Sequence, residues 1–394
     1  MTKEHTTASA AGWQWVALAA GVTAPGLLLA LGPVTVPDPV RALVYGIAIV
    51  GAAFLLSWAA EVVQLDFSQG LALALLALIA ILPEYVVDAT FAWLAAEDPA
   101  YAGFAVANMT GANRLLIGIA WPLVILLAFL RFRRRAVELE EEHGLELVVL
   151  LAASLYALLL PLKGDLTLVD MVVLVGLFGF YLWRIARLPA GQPHLVGPAQ
   201  RIGQLPPLQR RLTTGGLAIG AAIVILLVAK PFARALVGSG LSLGIDEFLL
   251  VQWLAPLASE APEFVVVALF AWRGASTAAL STLVSSKINQ WTLLVAMLPL
   301  VYSVALGRPE ALPLDERQRQ EVLLTAAQSL FALALLLDLR LSLVGATSLF
   351  VLFGVQMLFP ETRMLATWVY LLLALVVLFI SRRHVSKAFR WLRA

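Results

Sequence analysis

The sequence predicts an all-α integral membrane protein, on three observations. Of its 394 residues, 61% are hydrophobic and only 13% charged, against about 25% charged in soluble domains. Mean hydropathy is +0.91. The apolar residues also fall in blocks of roughly twenty, the length that crosses hydrocarbon at a rise of about 1.5 Å per helical residue.

Twelve transmembrane helices are expected, near 13–32, 41–64, 70–95, 101–130, 145–163, 167–185, 212–236, 245–273, 276–306, 321–338, 341–358 and 366–381. The first begins after a polar dozen residues and lacks a small-residue cleavage site, so it reads as a span, not a signal peptide. Twelve spans place 17 of the 27 lysines and arginines in loops and ends on one side and 8 on the other. The positive-inside rule then puts both termini in the cytoplasm of a multi-pass inner-membrane protein. With cations confined to membrane loops, the net charge of +2 is a topology signal, and no nucleic-acid partner is expected. The partners implied are membrane lipids and inorganic cations; oligomeric state is left open. The chain has no cysteine, which excludes disulfides and thiolate chemistry.

Two distant segments nearly repeat: PEYVVDATFAW from Pro83 to Trp93 and PEFVVVALFAW from Pro262 to Trp272, identical at eight of eleven positions. Each puts a proline and a glutamate inside an apolar run, where a carboxylate is costly unless paired, hydrated or bound. The Pro- and Gly-rich stretch from Leu188 to Arg211 divides the chain near its middle and reads as a cytoplasmic linker. The expected organisation is a tail and extra helix over 1–39, a first repeat over 40–187, the linker over 188–211, a second repeat over 212–359, and an extra helix with a basic tail over 360–394. Five spans per repeat is an odd number, so the second copy enters the membrane upside down, the inverted-topology arrangement of secondary transporters. The mid-span prolines are expected to break their helices and free carbonyls for a cation.

Glu84 and Asp88 are four residues apart and Glu260 and Glu263 three, so each pair shares a helix face. Antiparallel crossing of the two helices is expected to bring four carboxylates together in an oxygen-rich site for a hard cation such as Ca²⁺ or Na⁺. Asn108, Thr110, Asn113, Ser285, Ser286, Asn289 and Gln290 can add neutral oxygens. Crowded carboxylates can instead exchange protons. Asp88 and Glu260 occur once each, opposite Val267 and Ile81 in the other copy, and either ligate or pair with Lys287 or Arg114, the two cations well inside spans. Lys287 is a fixed ammonium in a cation's place, a titrating partner, or a salt bridge between helices. Asn108 and Asn113 read equally well as interhelical ties. Trp93 and Trp272 read as interfacial anchors, and Asp246 and Glu247 as hydrated groups at a span boundary. No cofactor is expected beyond the transported cation, Ca²⁺, Na⁺ or H⁺. The competing class, an intramembrane enzyme acting on a lipid-linked substrate, is disfavoured because His5, His143, His194 and His384 lie in loops or tails and no nucleophile or phosphate-cradling motif appears. A non-transporting structural or sensor protein is the third class.

These motifs resemble the cation/calcium exchanger superfamily, whose two repeats each carry a TSxPE-type helix followed by a GSN or GSD segment. AILPEYVVDA and GANRLLIG are similar to the first copy, and ASEAPEFVVVA and SSKINQWTLLV to the second, within a core from about Val40 to Phe359. The resemblance implies that Glu84 and Glu263 bind the transported Ca²⁺ and that an amide of the following helix joins them, at Asn113 and at Gln290 or Asn289. The hydroxyl pair before the motif is replaced by Ala80 and Ile81 in one copy and by Ser259 and Glu260 in the other, and Arg114 and Lys287 stand where the family carries uncharged or acidic residues. The implied activity is antiport of Ca²⁺ or Na⁺ against Na⁺ or H⁺ by alternating access, in a divergent branch; Na⁺/H⁺ exchange with Lys287 as fixed or titrating charge is the alternative.

Overall fold

The computed structural model describes residues 4–66, 82–187 and 195–381, and the side chains of these except 4–11 and 142. Ala80, Ile81, the first part of the third expected span, residues 188–194 of the linker with His194, and the basic tail from Arg382 with His384 lie outside the described residues, as does the side chain of His5. The described chain is almost entirely helical. Nine of its helical stretches are long and apolar enough to cross a membrane, as the composition requires, since only helices and closed barrels satisfy every backbone group inside hydrocarbon.

Two compact units emerge, one of residues 1–91 and 182–263, the other of 92–181 and 264–394. Neither is one repeat, because each combines helices from both halves of the sequence.

The first unit contains α1 (Glu4–Gly21), α2 (Ala24–Leu31), α3 (Asp38–Val63), the start of α4 (described over Leu82–Leu94), α10 (Pro198–Gly203), α11 (Pro207–Leu243) and most of the acidic part of α12 (Glu247–Trp272). The first expected span is thus two helices, parted at Val22 and Thr23 just ahead of Pro25, where proline fits only a first turn. Helices α3 and α11 pack along their lengths. Their buried residues include Ala48, Ala52 and Ala59 on one and Ala221, Ala229 and Ala233 on the other. Such small side chains let two membrane helices approach closely. Just past α3, Asp66 receives Arg210 Nε and Nη2 at 2.8 and 2.7 Å and Arg211 Nε at 3.0 Å. Two guanidinium groups fasten the end of α3 to the linker in this way.

Proline does not break α12, contrary to expectation: the helix runs unbroken through Pro256 and Pro262. The hydroxyl of Ser259 donates to the carbonyls of Ala255 and Pro256 at 3.3 and 3.2 Å, added bonds in the turn between the two prolines.

The second unit contains α5 (Ala100–Leu115), a π turn (Leu116–Ala120), α6 (Trp121–Phe132), β1 (Ala136–Glu138), α7 (Gly144–Ala157), α8 (Leu159–Lys163), β2 (Asp165–Leu166) and most of α9 (Leu168–Ile185). It continues with α13 (Ser276–Asn289), a second π turn (Gln290–Leu294), α14 (Val295–Leu306), β3 (Leu312–Pro313), α15 (Glu316–Leu335), β4 (Arg340–Ser342), α16 (Leu343–Leu358) and α17 (Arg363–Ile380). The same order of elements occurs twice. β1 pairs antiparallel with β4, and β2 with β3. Since β1 and β2 stand at opposite ends of the 20-residue rod Gly144–Lys163, about 30 Å long, β1 and its counterpart β3 lie at opposite ends of the unit. That is the inversion the odd number of spans predicts.

Arg210 and Arg211 hold the Asp66 carboxyl at about 2, mainly through the Arg210 hydrogen bonds. A carboxylate whose folded value is depressed contributes stability in full above its ordinary value near 4 and loses it as pH falls toward 2. Thermal unfolding of the detergent-solubilised Asp66→Asn variant should therefore decline less between pH 4 and pH 2 than that of the parent chain; parallel curves would remove this clamp from the acid sensitivity.

Candidate functional site

The two repeated motifs place their acids in the first unit. Glu84 and Asp88 lie on α4 and are 5% and 0% exposed, and Glu260 on α12 is 3% exposed. Glu263 is half-buried. Among the described residues no three of His, Cys, Asp and Glu are placed to hold a metal ion together, so the expected convergence of all four carboxylates does not occur. Four like charges in one dry volume would repel strongly without a cation. A further acid of the same unit, Glu61 on α3, escaped the sequence reading: its Oε2 accepts from the Val196 backbone N–H of the linker at 3.5 Å. Its signal was a glutamate two residues from the end of a helix that is apolar from Ala42 onward but for Ser57.

The amides and cations lie in the second unit, on the helices that follow each motif. Both helices contain a π turn at the polar segment, Leu116–Ala120 in one copy and Gln290–Leu294 in the other. Such single-turn widenings loosen the i to i+4 ladder and recur at functional positions. Measured from these turns, Asn113 and Lys287 occupy the same position in their repeats, three residues before the turn. Gln290 and Asn289, the expected counterparts of Asn113, stand beyond it, because the connection from α12 to α13 is shorter than that from α4 to α5. The two equivalent residues touch: Lys287 Nζ donates to Asn113 Oδ1 at 2.6 Å and to its backbone carbonyl at 2.9 Å. Asn113 in turn gives its Nδ2 to the Met109 carbonyl at 2.9 Å, which orients the amide oxygen toward the ammonium. Lys287 is fully buried and lies 5.2 Å from the ring centroid of Trp291, a favourable setting for a dehydrated cation.

Arg114 turns the other way. Its Nη2 is 2.6 Å from Glu321 Oε2 and its Nη1 donates to Gln356 Oε1 at 3.0 Å, while Arg363 reaches the other oxygen of Glu321 at 2.6 Å. The carboxylate partner that the sequence left open between Asp88 and Glu260 is, in this unit, Glu321. It belongs to a polar stripe on α15, Gln318, Glu321, Thr325 and Gln328, all 5% exposed or less, whose spacing of three and four residues was legible but was read as part of an ordinary span.

The remaining candidates divide by position. Asn108 is fully buried, Gln290 and Asn289 are 1% and 6% exposed, and Ser286 is half-buried. Ser285 donates to Glu146 Oε1 at 2.9 Å. The hydroxyls of Thr110 and Thr292 donate to their own helix, to Val106 and Ile288. Trp93 and Trp272 are 45% and 51% exposed, with Arg131 stacked 5.6 Å from the Trp272 ring, as interfacial residues are. Asp246 caps α12 from an exposed position.

Replacing Arg114 by Met should cost about 3 kcal/mol, the scale of leaving a buried partner charge half-compensated, read as a lowered unfolding midpoint in detergent. Adding Glu321→Leu should recover part of it; a double variant no better than the single one would deny the pair its energetic role.

Against known proteins, the family model described as sodium/calcium exchanger protein matches twice, over residues 39–186 and 213–360. The structure resembles that of a protein described as the H⁺/Ca²⁺ exchanger CAX, with 42% identity, TM-score 0.91, and coverage of 99% of this chain and 97% of the other. At the level of fold it also resembles the Ca²⁺/H⁺ antiporter protein YfkE, with 13% identity, TM-score 0.63 and coverage of 88% and 98%. A third likeness, again of fold, is to the sodium-calcium exchanger NCX_Mj, with 16% identity, TM-score 0.54 and coverage of 82% and 98%. A comparison with curated proteins finds no match.

Proposed function

The chain belongs to the sodium/calcium exchanger family of membrane transport proteins, and from that premise we propose that it is a secondary antiporter in which Glu84 and Glu263 hold Ca²⁺ at the membrane midplane and release it against H⁺. The observation that carries this reading is the doubled proline–glutamate motif, whose two acids belong to one compact unit. Two carboxylates match the charge of one divalent ion, and carboxylate oxygens suit a hard cation. Emptied of metal, the same pair can take up protons, since neighbouring acids in a dry site disfavour double ionisation. Competition of Ca²⁺ and H⁺ for the same oxygens is the simplest form of obligatory exchange.

The ammonium of Lys287 favours protons over sodium as the counter-ion. It occupies the repeat position of Asn113 and donates to that residue's amide oxygen. A fixed ammonium on the oxygens of Asn113 takes up ligands that an additional Na⁺ would need. The relative described as an H⁺/Ca²⁺ exchanger, at 42% identity, supports the same choice. Of the amides and hydroxyls expected as neutral ligands on the helices after the motifs, Asn108, Asn289 and Gln290 are retained as candidates; Ser285, whose hydroxyl is given to Glu146, is not. Membership of a transporter family and the absence of any nucleophile motif make an enzyme the weaker reading. The distribution of lysines and arginines supports the placement in an inner membrane with both termini cytoplasmic.

Glu84→Gln and Glu263→Gln in proteoliposomes should each abolish Ca²⁺ uptake driven by a pH gradient, followed with an enclosed Ca²⁺ dye; wild-type flux in both would take the two acids out of the mechanism. Neutralising the ammonium with Lys287→Gln should let a Na⁺ gradient drive or inhibit Ca²⁺ uptake, because it frees the Asn113 oxygen that the ammonium occupies. A variant as indifferent to Na⁺ as the parent would return Lys287 to a purely structural role.

A further inference from the structure

The two copies in the second unit correspond residue by residue. The Leu139 N–H donates to the Leu339 carbonyl at 2.7 Å and the Leu314 N–H to the Gly164 carbonyl at 2.9 Å, and both acceptor residues are left-handed, with φ of 59° and 82°. Leu139 is thus equivalent to Leu314 and Gly164 to Leu339, in agreement with the strand pairings. The same step along the chain carries Glu146 of α7 to Glu321 of α15, and Tyr181 of α9 to Gln356 of α16. All four side chains are buried.

Each of the two equivalent acids reaches across to the other copy. Glu146 Oε1 accepts from Ser285 of α13 at 2.9 Å and from Tyr181 at 3.3 Å, the two hydroxyls lie 3.0 Å apart, and His143 Nδ1 stands 2.9 Å from Glu146 Oε2. Glu321 Oε2 meets Arg114 of α5 at 2.6 Å, Gln356 accepts from the same guanidinium at 3.0 Å, and Arg363 takes the second carboxylate oxygen at 2.6 Å. In both places an acid and its companion from one copy clamp the helix of the other copy that leads into a π turn.

The clamped residues adjoin the contact between the copies. Ser285 lies two positions before Lys287, about 200° around the helix, and Arg114 one position after Asn113, about 100° around. The clamps therefore grip the flank and back of these helices while Lys287 and Asn113 face each other. Both helices need that grip, because a π turn loosens the backbone ladder just beyond the two residues. A slip of about 1 Å would carry the 2.6 Å bond from Lys287 to Asn113 Oδ1 out of hydrogen-bonding range.

We propose that Glu146 with Tyr181, and Glu321 with Gln356, are positioning residues that set the ion selectivity of exchange, by holding the Lys287 ammonium on the oxygens of Asn113 and so keeping Na⁺ from them. The inference rests on the reading above in which that ammonium excludes Na⁺. Neither clamp touches the transported ion; each acts through the lysine.

The test is Ca²⁺ uptake driven by a pH gradient, with and without Na⁺, by full-length protein in proteoliposomes. Lys287→Gln should make uptake sensitive to Na⁺. Ser285→Ala and Gln356→Leu, which each remove one bond of a clamp, should do the same at Na⁺ concentrations about tenfold higher, the scale of one net hydrogen bond. Ser285→Thr, which keeps the hydroxyl, should stay as indifferent to Na⁺ as the parent, and adding Ser285→Ala to Lys287→Gln should change nothing further, since the group it positions is already gone. Where Gln356→Leu does not fold, Tyr181→Phe, which keeps its ring against Phe178, serves in its place. Clamp variants indifferent to Na⁺ beside a sensitive Lys287→Gln would overturn the positioning role and spare the lysine reading, as would a double variant more sensitive than Lys287→Gln alone. An insensitive Lys287→Gln would remove the lysine reading and the clamps with it, and a parent without pH-driven uptake would remove the antiporter reading itself.

Discussion

An ionised side chain inside hydrocarbon must find compensation within the protein, and this requirement organises the whole molecule. Each buried charge of the second unit meets it differently. Arg114 finds Glu321, which Arg363 shares. Lys287 finds the two oxygens of Asn113 and the neighbourhood of the Trp291 ring. Glu146 finds two hydroxyls and an imidazole. In the first unit the motif acids Glu84 and Asp88 with Glu260 are likewise buried, and Glu84 is one of the two acids proposed above to hold the cation.

Inverted repetition supplies the second level of order. Two copies of one helical sequence facing opposite ways generate contacts that come in reciprocal pairs, and the short strands record this directly: β1 meets β4 as β3 meets β2. Residues at equivalent positions can touch only near the axis relating the copies, and Asn113 and Lys287 do. The ancestral symmetry would place the same residue at both positions. An amide facing an ammonium is a departure from it that ties the two π turns together with a charge-assisted hydrogen bond of about twice the neutral strength. The strand registers match Glu146 of α7 with Glu321 of α15, and here too the partners differ: an imidazole and two hydroxyls for the first, two guanidinium groups for the second.

Much of the architecture was legible in the chain. Blocks of twenty apolar residues announced the membrane helices, since length and hydropathy are local properties. The doubled motif announced the repeats, and the odd number of spans their inversion. Where local reasoning failed, the cause was a partner distant in sequence. Pro262 was expected to interrupt α12, yet the helix continues, and the widening appears one helix later as a π turn that no local signal marks. Asn113 was matched with Gln290 or Asn289 because motif spacing alone cannot register two copies whose intervening connections differ in length.

By itself the sequence determined the class of protein, its repeats and the identity of the acids that hydrocarbon would not tolerate without purpose, because the cost of transferring a residue from water to lipid is a property of that residue. Tertiary structure decided the pairings: Glu321 for Arg114, Asn113 for Lys287, Ser285 for Glu146. Those depend on which faces of separate helices meet, and a hydrogen bond spanning 139 or 174 residues of chain leaves no trace in the periodicity of either helix.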